Sequence, residues 1–383
     1  MGRVCTSTPN RWDRMEWAGA FGDLGTLIPF VVAYIAVVRM DPLGVLFSFG
    51  LALLVSGLYY RTPFPVQPMK AIGAVATTQA AQTATITQAT VYGADLVTGA
   101  AWLLLGVTGA ANRIARWVPR YVAIGIVLGL GLGFMLSGIR MMSSGWVMSG
   151  IGLLSTLLLL TNRSIPAMFL LLLFGAVCGT VLHPGAFDAL RAIRPHLRWP
   201  TLALGSLGWH DLVLGAAFLA LPQLPLTLGN AIIAIREENN RLFPDRAVTE
   251  NSVAVSTGVM NCASAVFGGV PMCHGAGGMA GHVAFGARTG GAPVILGTLL
   301  LLLALGFSDS VRILFALIPG AILGVILFLT GAQLALGSCD FSRHKGERFV
   351  TLVVAAFSMW NVGLAFIAGM ILAFLLHRGR LRL

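Results

Sequence analysis

The chain has 383 residues, of which 57% are hydrophobic and only 10% are charged, and its formal net charge is +11. Because an average soluble domain has about 25% charged residues, this composition excludes an ordinary soluble protein and indicates a polytopic membrane protein. A spanning helix needs about 20 residues, so the chain holds at most about fourteen spans and has no room for a separate soluble domain. The basic residues lie singly between apolar segments, which indicates membrane topology and argues against nucleic acid as a partner.

The apolar segments predict seven spans on each side of a polar connection at 183–209. The predicted spans are 16–38, 43–60, 64–82, 86–110, 119–139, 146–161, 165–182, 210–235, 250–268, 270–287, 290–307, 313–336, 348–360 and 361–377. One long helix is the alternative for the last two. With the N-terminus inside, 18 of the 25 Lys and Arg residues fall in cytoplasmic segments, so we expect both termini in the cytoplasm.

A weak internal repetition relates the two halves, 1–182 and 210–383. Three pairs of motifs recur at offsets of 203, 200 and 199: Pro68-Met69 with Pro271-Met272, Pro119 with Pro319, and Asn162 with Asn361. Two consecutive units with seven spans each must be inverted relative to one another in the membrane, because seven is odd. We therefore predict an all-α fold of fourteen transmembrane segments arranged as a 7+7 inverted repeat.

Spans three and ten begin with segments that cannot be helix interior. Three prolines between 63 and 68 require an extended lead in span three, and Pro68 is well placed as the first helical residue. Span ten repeats the pattern, with a glycine-containing lead before a helix that opens at Pro271. Two half-helix N-termini that meet inside a membrane would form an anion site. The alternative is a pair of proline-kinked helices packed on glycine faces.

Two ionisable residues accompany these segments. Lys70, one of only two lysines, follows Pro68-Met69, and a lysine within the membrane costs about 3 kcal/mol or more unless it is paired or hydrated. It either adds positive charge to an anion site or extends to the membrane surface. Asp23 lies in span one between glycines. It could neutralise Lys70, carry a coupling proton or be capped by backbone N–H groups.

Span eight carries Gln223, Thr227 and Asn230 on one side at helical spacing. Neutral amides and hydroxyls suit an oxyanion, and hydrogen bonding between helices is the alternative.

We interpret the charged cluster at 236–241 as a solvated cytoplasmic loop. His274 and His282 are eight residues apart, a poor spacing for metal ligands. We expect no metal, no cofactor and no enzymatic activity, because the chain shows no catalytic motif.

Several of these segments resemble the molybdate transporter family of the sulfate permease superfamily. The runs 223–230 and 267–290 resemble its two signature motifs, and 19–26 and 68–72 resemble its first and third spans. The resemblance implies a uracil permease-like inverted repeat in which a core domain moves against a gate domain. It also implies that substrate lies between the half-helices of spans three and ten.

By this resemblance, the following residues lie near the substrate: Met69, Lys70, Ala71, Cys273, His274 and Gly275, flanked by Asp23, Gln223 and Asn230. Thr227 joins them by its spacing. Sulfate permeases usually add a cytoplasmic regulatory domain after the last span, and this chain leaves no room for one.

The expected function is secondary-active uptake of molybdate by alternating access. The alternatives are a carrier of sulfate or another oxyanion, a nucleobase carrier, an anion channel and a membrane enzyme. Moving a dianion inward against a negative-inside potential costs about 4.6 kcal/mol per 100 mV, so we expect a coupled proton or cation, with Asp23 as its first candidate. We expect the protein to lie in the lipid bilayer of a bacterial inner (plasma) membrane. The sequence leaves open whether it forms a homodimer.

Overall fold

The computed structural model shows a helical protein over the residues that it describes. These are residues 9–70, 72–73, 86–115, 117–159, 167–182, 185, 191, 193–311, 313, 318–336 and 341–378. The first half contains α1 (Arg14–Ala20), α2 (Leu24–Ala33), α3 (Pro42–Tyr60), β1 (Gln67–Pro68), α4 (Gln88–Val107), α5 (Ala110–Ala115), α6 (Arg120–Met142), α7 (Trp146–Leu159) and α8 (Ala167–Leu182). The second half contains α9 (Trp209–Leu214), α10 (Leu221–Leu226), α11 (Ile235–Leu242), α12 (Glu250–Val266), β2 (Met272–Cys273), α13 (Ala276–Ala284), α14 (Gly291–Phe307), α15 (Gly320–Leu336), α16 (Lys345–Trp360) and α17 (Val362–His377).

Short 3-10 and π turns join several of these helices into longer rods. A 3-10 turn at Phe21–Asp23 connects α1 with α2, and a π-helical turn at Tyr34–Val38 extends α2. Two further π-helical stretches, Gly215–Ala220 and Thr227–Ala234, lie on either side of α10. The chain is therefore helical without a break from α9 to the end of α11.

The described helices lie within most of the predicted apolar segments, whereas residues 74–82 of span three lie outside the described residues. Two local questions are settled. Asn361 separates α16 from α17, because its backbone is extended and its side chain accepts a hydrogen bond from the N–H of Leu364 at 3.0 Å. The two-helix interpretation of the C-terminal segment is thus confirmed.

The solvated loop predicted at 236–241 is wrong, because this segment lies in α11. Glu238 is buried there against the guanidinium of Arg241, and Asn239 accepts a hydrogen bond from Thr62 at 2.8 Å.

The length of several helices and the apolar outer surface are those expected in a lipid bilayer. Among the described residues, four helices have the length and the mean hydropathy needed to cross a membrane, namely α3, α4, α6 and α14 with the turn that follows it. Large apolar side chains are exposed on the outside, such as Leu158, Val181 and Leu302. Because lipid is the solvent that suits such a surface, the chain is a helical integral membrane protein.

Glycines set the distance between the most intimate helix pairs. Helices α6 and α15 cross at Gly138 and Gly324, where a methyl group on either residue would lie 2.7 Å from the carbonyl oxygen of the other. Helices α3 and α14 cross in the same way at Gly50 and Gly297. Small residues let membrane helices approach until their backbones touch, which gains dispersion energy where no hydrophobic effect is available.

Glu16 holds the start of α14 from across the bundle. Its carboxylate accepts hydrogen bonds from the backbone N–H groups of Arg288 and Thr289, both at 2.9 Å, and of Ala292 at 3.1 Å. The side chain is buried. A carboxylate at a helix N-terminus satisfies unpaired N–H groups and interacts favourably with the helix dipole, so Glu16 fixes α1 against α14.

An extended segment at 193–200 packs over the end of α14. The N–H groups of His196 and Arg198 donate to the carbonyls of Gly306 and Leu305, both at 2.9 Å. Arg198 also forms ion pairs with Asp309 at 3.0 Å and with Asp41, the N-cap of α3, at 2.8 Å. This segment therefore joins the adjacent ends of α3 and α14.

Replacing Glu16 by Ala should destabilise the protein by at least about 3 kcal/mol, because each hydrogen bond to a charged group contributes about 1.5–3 kcal/mol and three are lost. Thermal unfolding in detergent measures the effect. Glu237→Ala is the control, because Glu237 is half-exposed and pairs only with the adjacent Arg236, and exposed pairs contribute about 0–1 kcal/mol. Equal melting temperatures for the two variants would contradict the role given to Glu16.

Candidate anion-binding site

Two extended segments meet in the middle of the helical bundle. Strands β1 and β2 pair antiparallel, with Gln67 opposite Cys273 and Pro68 opposite Met272. The N–H of Met69 continues the ladder by donating to the carbonyl of Pro271 at 2.8 Å. Prolines and glycines in both leads keep the chain out of the helical conformation, and the pairing gives their buried backbone groups partners.

A side chain completes the ladder on the other edge of β2. Asn261 of α12 donates from Nδ2 to the carbonyl of Met272 and accepts from its N–H, both at 2.7 Å. Ser264, one turn further along α12, donates to the carbonyl of Val270 at 3.0 Å. These two side chains take the place of a third strand, so the extended segment is satisfied without water.

The pairing moves both helix starts away from their predicted positions. Pro68 lies in β1, and the chain becomes helical at Lys70. Pro271 to Gly275 are not helical either, and α13 begins at Ala276 with Gly275 as its N-cap. Near the first of these starts, the N–H of Met69 is bound in the ladder and that of Ile72 donates to Gln223 Oε1 at 3.3 Å. The predicted starts at Pro68 and Pro271 were wrong, because extended backbone could pair there.

Asp23 and Gln67 form the polar wall on one side of the strand pair. Gln67 Nε2 donates to Asp23 Oδ1 at 2.5 Å and lies 2.7 Å from Thr26 Oγ1, and Thr26 also donates to Asp23. All three are buried. The Oε1 of Gln67 is buried without a hydrogen bond and points at Gly275, where an added methyl group would overlap it. Gln67 therefore couples span one to the start of α13.

The predicted polar residues of span eight form the opposite wall. Gln223 Nε2 donates to Thr227 Oγ1 at 3.0 Å, and Gln223 Oε1 accepts from Ile72, so this pair tethers the helix that follows β1. Asn230 is buried, and its Nδ2 lies 3.7 Å from the position of a methyl group on Gly275. The structure thus brings all three near the strand pair, on the rod that contains α10.

Lys70 extends its amine towards α6. The Nζ atom lies 3.9 Å from the centroid of the Phe134 ring and is buried without a hydrogen bond. It interacts electrostatically with Asp23 and Cys273. The Phe134 ring also touches the backbone of Gly277 in the first turn of α13, because a methyl group there would overlap it. Phe134 therefore fills the space between the only charged amine of the site and the N-terminus of α13.

The remaining predicted residues occupy different positions. Met69 and Cys273 are buried beside the strands, and Cys273 is a free thiol. Both ring nitrogens of His274 are engaged, with the carbonyl of Pro65 at 2.7 Å and with Ser256 Oγ at 2.6 Å. Ala71 lies outside the described residues. Among the described residues, no group of three His, Cys, Asp or Glu side chains is arranged to hold a metal ion.

Four residues at this site are not predicted from the sequence: Gln67, Thr26, Phe134 and Asn261. Thr26 stands inside the motif 19–26 and Gln67 directly precedes the motif 68–72, so a search for polar neighbours of Asp23 could have found them. Phe134 is one aromatic residue among many apolar ones in α6, and its proximity to Lys70 depends on how α6 packs against α13.

The fold is that of known anion carriers. The structure resembles the transmembrane domain of a cyanobacterial bicarbonate transporter, BicA, with a TM-score of 0.60 and 17% identity, covering 93% of this chain and 97% of that one. It also resembles the murine Slc26a9 anion transporter in its inward-facing state, with a TM-score of 0.65 and 12% identity, covering 98% of this chain and 70% of that one. These likenesses agree with the sulfate permease-like fold expected from the sequence.

Sequence comparison identifies the family. A family model described as a molybdate transporter of the MFS superfamily matches residues 15–134 and 215–334. Molybdate transporter 2 of Arabidopsis thaliana is 32% identical, over 94% of this chain and 87% of that protein. Molybdate transporter 1 of Chlamydomonas reinhardtii is 28% identical, over 94% and 91%. The chain belongs to the molybdate transporter family.

Replacing Gly275 by Ala should destabilise the protein by about 1–3 kcal/mol, because overpacking at a site that cannot relax costs about that much and Gln67 would have to leave Asp23. The measurement is thermal unfolding in detergent. Gly150→Ala is the matched control, since a methyl group at Gly150 meets nothing within 4 Å. A Gly275→Ala variant that melts with the parent would show that Gln67 does not pack on Gly275.

Proposed function

We propose that this protein is a secondary-active molybdate transporter that binds its anion between Lys70 and the first turn of α13. The observation that carries the proposal is the Lys70 amine, which among the described residues is buried without a hydrogen bond, lies over the ring of Phe134 and has Asp23 as its charged neighbour. An unpaired ammonium inside a membrane is costly, and a dianion beside it would remove that cost. The relatives named molybdate transporters support molybdate as the anion.

The first turn of α13 would supply the second half of the anion site. Its N-cap, Gly275, has no side chain to satisfy the free N–H groups, and the anion would take the place of the Phe134 ring that covers the backbone at Gly277. A helix N-terminus carries about half a positive charge. Together with Lys70, it would balance most of a dianion, while amide groups of Gln223 and Asn230 add neutral hydrogen bonds.

The other predicted binding residues would act as the wall of this site. Met69, Cys273 and Thr227 are buried around it, and Ala71 is included through the family resemblance. His274 would contribute through its backbone, since its ring nitrogens are already hydrogen-bonded to Pro65 and Ser256. In this proposal, the ring fixes the extended lead and the main chain faces the anion.

Asp23 would balance the charge of Lys70 when the site is empty. The two groups interact electrostatically, and Gln67 and Thr26 hold the carboxylate in place. A dianion that binds to Lys70 in place of Asp23 is repelled by the negative charge of Asp23. A proton on Asp23 would remove the repulsion, so Asp23 remains the candidate for coupling within the anion site.

The 7+7 inverted repeat is supported by pairs of matching contacts. The packing of α3 on α14 has its counterpart 200 residues later in α12 on α4, and that of α7 on α15 has its counterpart in α16 on α6. Helices α6 and α15, which are equivalent, pack on each other. The family model also matches twice, in stretches offset by 200 residues. An antiparallel β1–β2 pair lies where a two-fold axis would pass.

Alternating access would use two groups of helices. One group consists of α6, α7, α8, α15, α16 and α17, which contact one another, and we assign it to the gate. The other contains both strands with α1, α3, α4, α12, α13 and α14, and we assign it to the core. Phe134 belongs to the gate but touches Lys70 and Gly277 of the core. Its ring would have to withdraw before the anion enters, which links binding to movement.

The distribution of basic residues supports termini that face the cytoplasm in a plasma membrane. The proposed transporter couples anion uptake to a proton or another cation. It would form a homodimer, which cross-linking tests.

Lys70→Ala should lower molybdate uptake into proteoliposomes at least about tenfold, because a hydrogen bond between charged groups contributes about 1.5–3 kcal/mol. Lys345→Ala, which removes the other lysine, is the matched control and should transport like the parent, since Lys345 is exposed at the start of α16. Lys70→Arg separates charge from shape. Full uptake by folded Lys70→Ala would contradict the proposed site.

The same assay distinguishes molybdate from its competitors. Uptake that saturates and is little affected by excess sulfate is expected. Transport that prefers sulfate would move the protein to a general oxyanion carrier, and current that does not saturate would favour a channel.

Phe134→Leu should tighten molybdate binding about fivefold or more, because the ring stabilises the empty state by a cation–π contact of about 1–2 kcal/mol. Phe134→Tyr keeps a ring and should bind like the parent. Calorimetric titration of purified protein with molybdate measures both. Weaker binding by the leucine variant would show that the ring contacts the anion itself and does not compete with it.

A further inference from the structure

Asp95 of α4 is a buried acid to which no role has yet been given. Four acidic side chains among the described residues are buried: Glu16, Asp23, Asp95 and Glu238. Three have partners, namely backbone N–H groups for Glu16, Gln67 and Thr26 for Asp23, and Arg241 for Glu238. Both carboxylate oxygens of Asp95 lack a hydrogen bond, and the side chain is 0% exposed.

Hydroxyl groups surround Asp95. Ser264 of α12 lies beside its carboxyl group. The phenol of Tyr34 interacts with it electrostatically and is itself buried without a hydrogen bond. Ser48 contributes a further buried hydroxyl without a partner, and a methyl group on Gly269 would meet both serine oxygens, Ser48 and Ser264. The cluster therefore offers oxygen atoms and no positive charge.

The titratable groups around α4 do not compensate a negative charge on Asp95. Cys262 faces it from α12, and Tyr34 from the π-helical turn after α2. Asp211 of α9 lies further along α4, beside Thr90. Arg113 of α5 is exposed beyond the end of α4. No described Lys, Arg or His side chain is hydrogen-bonded to Asp95.

A protonated Asp95 would complete a hydrogen-bond chain that an ionised Asp95 breaks. Ser264 uses its own proton on the carbonyl of Val270, which leaves its oxygen able to accept. A carboxylic acid at Asp95 can donate to that oxygen, and every group from Asp95 to Val270 is then satisfied. The phenol of Tyr34 can donate to either form of the carboxyl group. An ionised Asp95, however, can obtain a donor from Ser264 only by withdrawing it from Val270, and an unpaired carbonyl in the membrane costs several kcal/mol.

We propose that Asp95 is an intramembrane proton-binding site whose proton controls the segment leading into β2. When the proton leaves the carboxyl oxygen for bulk water, Ser264 turns its O–H from Val270 to Asp95, and the lead into β2 is released. Val270 lies two residues before Met272, which Asn261 and Pro68 hold in the strand pair. A proton at Asp95 thus stabilises the β1–β2 strand pair beside the anion site, although Asp95 does not contact the anion. The transport consequence rests on the proposed function, whereas proton binding does not.

The first test is infrared difference spectroscopy of the purified full chain during a pH titration. At neutral pH, the parent should show the carbonyl stretch of a protonated carboxylic acid that decreases at alkaline pH, and Asp95→Asn should lose it. Asp245→Asn, which changes an exposed acid, should retain it. An unchanged band in Asp95→Asn would assign the proton elsewhere and overturn the proposal. A band abolished by sodium at constant pH would also overturn it, in favour of a metal cation.

Ser264→Ala keeps the test decisive if Asp95→Asn does not fold. Removing the acceptor should shift the same band to higher frequency, because the acid loses its hydrogen bond. An unshifted band would contradict the chain from Asp95 to Val270.

Transport provides a separate readout of the same site. In proteoliposomes, Asp95→Asn should exchange molybdate across the membrane but lose the stimulation of net uptake by an imposed pH gradient. If no variant transports molybdate and the infrared band still behaves as expected, the proposed function fails and the proton site stands. Stimulation that survives in Asp95→Asn would contradict the control of β2 by this proton.

Discussion

Backbone N–H and C=O groups inside a membrane must find partners within the protein, and this chain meets the requirement at its centre by pairing β1 with β2. The ladder joins residues about 200 positions apart, and Asn261 and Ser264 complete it from α12. Everything in the candidate site follows from this pairing. It sets where the chain becomes helical at Lys70 and where α13 begins, and it brings Gln67 to Asp23 and Gly275.

The buried charges among the described residues are satisfied in different ways, one of which is the ion pair of Glu238 with Arg241. Glu16 is bound by the N-terminus of α14, so a carboxylate of the chain itself demonstrates that a helix start here can hold an anion. Asp23 is held by an amide and a hydroxyl, and Lys70 by an aromatic ring. Asp95 has the hydroxyl groups of Ser264 and Tyr34 and the thiol of Cys262 near it, and no described cation is hydrogen-bonded to it. A buried cation without a hydrogen bond favours an anion beside it, and a buried acid without a cation beside it favours a proton on its carboxyl group.

Much of the fold could be predicted from hydropathy, because each span is a local property of about 20 residues. The extended leads before Lys70 and α13 were predictable from prolines and glycines, whose effects on the backbone are local too. The helix starts were placed too early, because the sequence does not reveal that the two leads pair. Phe134 and Asn261 could not be found for a similar reason. Their roles arise only when α6 packs on α13, and α12 on β2.

The central claim is that molybdate binds between Lys70 and the first turn of α13. Molybdenum scatters X-rays anomalously, so an anomalous difference map from a crystal grown with molybdate locates the anion without relying on any variant. The account predicts a peak within hydrogen-bonding distance of Lys70 Nζ and of the N–H groups that follow Gly275, with the Phe134 ring displaced. A peak elsewhere in the protein, with Lys70 still resting on Phe134, would contradict it.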